Sequence, residues 1–167
     1  MVESTEAQAE DEPPPRLLFR RALHSDISSI VSIENACFNS ESFNERQFKY
    51  MLRSPSSIAI VAQRDGGIAG YVWAYVQRFG ARKLGRIYSL AVKPEFRGRG
   101  IAGNLLSMVE QEMRLLNVDR LFLEVEEFNV EALELYGKMG FEVQSFLPDY
   151  YGDEGSALKM VKKLVYQ

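Results

Sequence analysis

Leu90-Ala91-Val92-Lys93-Pro94-Glu95-Phe96-Arg97-Gly98-Arg99-Gly100-Ile101-Ala102 is the stretch on which the reading of this chain turns. It leads from an apolar strand pattern, Arg86 to Val92, through a glycine-punctuated turn into a long helical pattern. In that helix Ile101, Leu105, Met108, Val109, Met113 and Leu116 share one face. A glycine-rich turn that opens a helix aims backbone N–H groups and the positive end of the helix dipole at one point, which suits a pyrophosphate. Gly98 and Gly100 permit close backbone approach, and Ala102 lets the helix start pack tightly. The Gly-Lys-Ser/Thr of a P-loop is missing. Taken alone, these residues also fit a tight turn with no ligand.

Working outward, Leu17 to Ala22 reads as a strand. Ser25 reads as the N-cap of a helix in which Ile27, Ile30, Val31 and Ile33 lead toward Cys37 and Phe38. Phe43 to Leu52 reads as a second short helix, and Ile58–Ala62 and Ile68–Val76, joined at Asp65-Gly66-Gly67, as a hairpin. Beyond the long helix come a strand at Arg120–Val125 and a helix at Asn129–Met139, with Val130, Leu133 and Tyr136 on one side and Gly140 as its left-handed cap. Strands at Phe141–Phe146 and Ala157–Val165 flank a polar and aromatic loop, Pro148 to Gly155. The order implies an α/β fold, a mixed sheet of about seven strands with about four helices on both faces.

Composition narrows the function. The 167 residues, 46% hydrophobic and 26% charged, suit one globular domain, assigned to residues 16–167. Residues 1–15 are expected to form a disordered tail, because they hold five acidic and no basic residues and end in Pro13-Pro14-Pro15. The remainder is close to neutral, which gives no electrostatic case for a nucleic-acid partner. One cysteine, Cys37, and one histidine, His24, exclude an internal disulfide and a structural zinc cluster, so no metal is expected. No apolar run approaches a membrane span, and the acidic N-terminus is unlike a signal peptide, so the expected setting is the cytoplasm with no membrane partner.

Arg97-x-x-Gly100-x-Ala102 after Leu90-Ala91-Val92 resembles the acetyl-CoA signature of the GNAT superfamily of N-acetyltransferases. Leu123-Glu124-Val125, Asn129, Ala132, Leu135-Tyr136 and Gly140-Phe141 look like the rest of that family's core, at its usual spacing. With Tyr150-Tyr151 added, the pattern is most similar to the protein N-terminal acetyltransferases, among them the bacterial ribosomal-protein alanine group and its archaeal relatives. The resemblance implies a GNAT fold in which the strand at Tyr88–Val92 carries a bulge and splays from the strand at Leu121–Val125. It implies acetyl-CoA as cofactor, its pantetheine arm on the backbone of Leu90, Ala91 and Val92. Its pyrophosphate would lie on the amides of Arg97, Gly98, Arg99, Gly100, Ile101 and Ala102, and Asn129 and Tyr136 would also touch the cofactor. Glu124 matches the family's base and Tyr136 the residue that protonates the departing thiolate. Tyr150 and Tyr151 would form one wall of an acceptor channel, and Phe38, Glu41 and Phe43 the other.

The implied reaction moves an acetyl group to a protein or peptide N-terminus. An α-amine, with a pKa near ~7.7 to 8.0 against ~10.4 for lysine, is the easier nucleophile at neutral pH. Glu126, Glu127 and Phe128 stand where the family carries Arg, a variable residue and Ser. The resulting acidic mouth leaves lysine side chains, polyamines and other small amines as alternative acceptors, and a non-catalytic acyl-CoA-binding module as a third reading. The oligomeric state is left open.

Overall fold

Seven strands build one sheet in this computed structural model, which describes residues 16–38 and 42–164. The tail assigned to residues 1–15, Glu41 and Val165 lie outside the described residues. The strands are β1 (Leu17–Arg21), β2 (Ser57–Arg64), β3 (Gly67–Phe79), β4 (Arg82–Val92), β5 (Arg120–Glu126), β6 (Glu142–Leu147) and β7 (Ala157–Lys163). Their spatial order is β1-β2-β3-β4-β5-β7-β6, with β4 and β5 parallel and every other neighbouring pair antiparallel. The helices are α1 (Ile27–Cys37), α2 (Glu45–Arg53), α3 (Ile101–Leu115) and α4 (Val130–Lys138).

The apolar stripes decide the layers. Ile27, Ile30 and Ile33 of α1, with Phe48 and Met51 of α2, close over Val61, Tyr71, Trp73 and Ala91 on one face of the sheet. Ile101, Leu105, Leu106, Val109 and Met113 of α3 close over Ile60, Val72, Ile87 and Leu123 on the other, with α4 alongside. The expected seven-stranded mixed sheet with four helices on both faces is therefore the fold.

Local details depart from expectation. Ser25 does not cap α1: His24–Asp26 form a 3-10 turn, and the Asp26 carboxylate accepts from the Leu23 N–H at 2.7 Å and from Arg20 at 2.7 and 2.9 Å. Hydrogen bonds from Arg20 hold that carboxyl below its ordinary pKa against the opposing effect of burial. Phe43 lies outside α2, because Asn44 takes the N-cap and exchanges hydrogen bonds with Gln47. The hairpin of β3 and β4 runs out to Phe79 and Arg82, further than the apolar pattern extends. Val130 is 62% exposed, and α4 packs through Ala132, Leu133, Leu135 and Tyr136.

Two features of β4 create the space for a site. It pairs with β5 only from Leu84 to Arg86, opposite Arg120 to Phe122, after which the strands part. Trp73 pairs with Ser89 but Ala74 with Ile87, so Tyr88 is the extra residue of a β-bulge. The bulge and the splay implied by the resemblance are both present. Tyr88 and Ser89 consequently face the α1/α2 side together: Tyr88 stacks on Trp73 at 4.9 Å and Ser89 bonds to Tyr71.

The last paired stretch has no spare room. A Cβ on Gly85 would come within 2.6 Å of Leu121 Cδ2 and 2.8 Å of Met113 Sδ. Gly85→Ala is expected to cost about 1–3 kcal/mol by overpacking. A urea melt should show a lower midpoint with an unchanged slope.

Candidate active site

Where β4 and β5 part, a cleft of about 590 Å³ opens, within the range of small-molecule sites. It is lined by Leu90 of β4, Glu124 and Glu126 of β5, and Asn129 and Tyr136 at α4. Phe38 and Phe43 border it on the α1/α2 side, and Tyr150 and Tyr151 on the β6–β7 side. Eight of the expected site residues therefore meet in one space, while Glu41 lies outside the described residues.

Each side chain is placed by its element. Alternation along β5 buries Leu123 and Val125 and turns Glu124 to the cleft. Asn129 is the N-cap of α4, its Oδ1 accepting from the Ala132 N–H at 3.2 Å, so its side chain already has a structural task at the rim. Tyr136 packs edge-on against Phe141 at 5.9 Å, and burial pushes its hydroxyl up to about 12. Tyr150 and Tyr151 touch at 4.9 Å in a loop closed by Tyr151 N–H to Gly155 O at 3.0 Å and Asp149 N–H to Ser156 Oγ at 3.1 Å.

The glycine turn sits at the head of α3, beyond the cleft lining. Gly98 and Gly100 take φ of +74° and +77°, and a Cβ at either would meet nothing within 4 Å, so conformation rather than crowding calls for glycine. The exposed turn and the fifteen-residue helix behind it fit an anionic group. Arg97 turns back instead, its Nε donating to the Val92 carbonyl at 3.0 Å and an amino group to Cys37 Sγ at 3.4 Å. The Arg99 guanidinium lies over the Phe96 ring at 5.9 Å. Ala91 and Val92 bury their side chains on opposite faces of the sheet, which leaves backbone as what they offer a ligand.

Two cleft residues escaped the sequence reading. Arg86 places Nε 3.2 Å from Glu124 Oε2, donates to Tyr150 Oη at 3.0 Å and to Tyr88 Oη at 3.4 Å, and lies 4.4 Å over the Tyr88 ring. Burial opposes its charge, but Glu124 and the two phenol oxygens outweigh that and raise its pKa. The acidic mouth is thus partly answered by a cation 38 residues away in sequence. Glu34, 1% exposed, accepts from the Phe43 N–H at 3.2 Å through Oε1 and from Ser89 Oγ at 2.9 Å through Oε2. Burial raises its pKa against both hydrogen bonds. Its signal was a lone acid in register with the apolar face of α1, seven residues after Ile27 and four after Ile30.

Residues 27–141 match the acetyltransferase (GNAT) family. An uncharacterised N-acetyltransferase of Methanocaldococcus jannaschii is 32% identical over 88% of this chain and 92% of its own length. An N-alpha-acetyltransferase of Saccharolobus solfataricus is 30% identical over 87% and 92%. Among solved structures, a chain of the NatC complex bound to Gag peptide and CoA superposes with a TM-score of 0.80 at 25% identity, covering 89% of this chain and 99% of that one.

Gly98→Ala and Gly100→Ala should each cost about 1–2 kcal/mol, from a left-handed backbone imposed on a residue with a Cβ. Calorimetric titration with coenzyme A should show weaker binding in both than in Arg99→Ala.

Proposed function

The chain belongs to the acetyltransferase (GNAT) family, and from that premise we propose that it transfers an acetyl group from acetyl-CoA to the N-terminal α-amine of a protein or peptide, by direct attack with both substrates bound. The observation that carries this reading is one cleft, opened by the parting of β4 and β5, into which Glu124 and Tyr136 both face. The name of the archaeal relative and the CoA- and peptide-bound state of the structural neighbour support it. The expected setting is the cytoplasm.

The donor supplies an acyl thioester. The amides of Arg97 to Ala102 hold its pyrophosphate, and the backbone of Leu90, Ala91 and Val92 holds the pantetheine arm as an added strand would. An N–H of this edge polarises the thioester carbonyl. Phe38 and Phe43 on one side and Tyr150 and Tyr151 on the other orient the acceptor.

Glu124 receives the proton that the amine sheds as the nitrogen–carbon bond forms, directly or through a water. Both Arg86 contacts fall on its Oε2, and Oε1 takes the proton. As the carbon–sulfur bond breaks, Tyr136 donates its O–H to the sulfur and is reprotonated from solvent. A hydroxyl pushed up to about 12 stays protonated through the range around pH 8 in which the amine loses its proton. The α-amine needs no strong base, because its pKa of ~8 leaves a usable neutral fraction at pH 7, whereas lysine at ~10.4 is hundreds-fold less available.

Acetyl-CoA with short peptides bearing one free α-amine and one internal lysine should release thiol only when the N-terminus is unblocked. Equal release from blocked peptides would instead assign lysine or small-amine acceptors, and binding of coenzyme A without turnover a non-catalytic role. Glu124→Gln and Tyr136→Phe should each lower kcat by about 10²- to 10⁴-fold while coenzyme A still binds. The value of kcat/KM should climb through about pH 8 as the amine deprotonates and stay level to beyond pH 10. A fall near pH 10 would place Tyr136 at an ordinary phenol pKa.

A further inference from the structure

We infer that Glu34 is a positioning residue that couples the acceptor wall of the cleft to the donor-binding strand; the inference rests on the acetyltransferase reading above. Glu34 lies on the buried face of α1 with Ile27, Ile30 and Ile33, where a leucine would fill the space without the cost of desolvating a carboxylate. Its hydrogen bonds show what it does instead. Oε1 holds the N–H of Phe43, the residue before the N-cap of α2, and Phe43 stands edge-on to Trp73 at 5.0 Å and borders the cleft. Oε2 takes the hydroxyl proton of Ser89. Ser89 Oγ, with that proton committed, accepts from Tyr71 Oη at 2.7 Å.

Tyr71, Ser89 and Glu34 thus form a buried chain that ends on the backbone of the acceptor wall. Ser89 faces Glu34 because the bulge at Tyr88 turns two successive side chains to the same side of the sheet. It also immediately precedes Leu90, where the donor arm is proposed to lie. One carboxylate therefore ties the segment that would receive the donor to the segment that would receive the acceptor. Such a bond lets either ligand, by ordering its own segment, order the other.

The test is amide exchange in the whole chain, followed residue by residue by NMR with and without coenzyme A. In the unmodified protein coenzyme A should slow exchange at residues 87–92 and, about fivefold or more, at Phe43 and the first turn of α2. Glu34→Gln, which keeps an oxygen for Phe43 and a polar group for Ser89, should retain this cross-protection. Ser89→Ala and Glu34→Leu should lose it while still protecting residues 87–92, and the acceptor KM of Ser89→Ala should rise about tenfold. Protection confined to residues 87–92 in the unmodified protein, or cross-protection persisting in Ser89→Ala, overturns the coupling. No protection anywhere on adding coenzyme A overturns the acetyl-CoA reading and the coupling with it.

Discussion

The parting of β4 from β5 after Arg86 is the constraint on which the rest of the structure depends. Up to that point the strands are ordinary parallel neighbours, held so closely that Gly85 has no space for a side chain. Beyond it the bulge at Tyr88 changes which residues face which side, and the two strands diverge. A sheet normally satisfies its backbone groups with a neighbouring strand. Here the gap leaves an edge in the interior of the sheet, opposite a β5 that presents Glu124, and at the end of β4 the chain turns through Gly98 and Gly100 into α3. An edge suited to an extended arm, a turn suited to an anion and a carboxylate are juxtaposed by one local irregularity.

Charge is distributed around that gap in a way that composition conceals. Glu124 is met by Arg86, which is itself held by two tyrosines and stacked on one of them. Glu34 is met only by neutral donors, the Phe43 N–H and Ser89 hydroxyl, among the described residues. The two acids therefore have different tasks. The first has a cation that fixes one of its oxygens and leaves it partly exposed at the cleft, and the second is sealed into the wall as a tie.

Much of this was legible in the sequence because it depends on local signals. Helical periodicity located α1 and α3, Gly140 marked the end of α4, and the Arg97-x-x-Gly100-x-Ala102 turn and Leu123-Glu124-Val125 pointed to the head of α3 and to the β5 edge of the cleft. What could not be read comes from tertiary pairing. Arg86 looked like the polar start of a strand, and nothing within its neighbourhood points to Glu124. Glu34 broke an apolar face, but the partners that explain it, Phe43 and Ser89, come together only when the bulge is formed. Asn129, read by resemblance as a cofactor contact, lines the cleft rim and also caps α4, a bond the sequence reading did not include. The start of α1 was misplaced for a local reason: Asp26 answers to Arg20, six residues earlier, and to the Leu23 N–H rather than to its own helix.

The central claim, that the parted edge of β4 and the glycine turn together make the donor site, is tested most directly by a crystal structure of the chain with coenzyme A. The account predicts the pantetheine arm against the backbone of Leu90 to Val92 and the pyrophosphate on the amides of Arg97 to Ala102. Coenzyme A bound elsewhere, or β4 and β5 closed against each other in its presence, would contradict it.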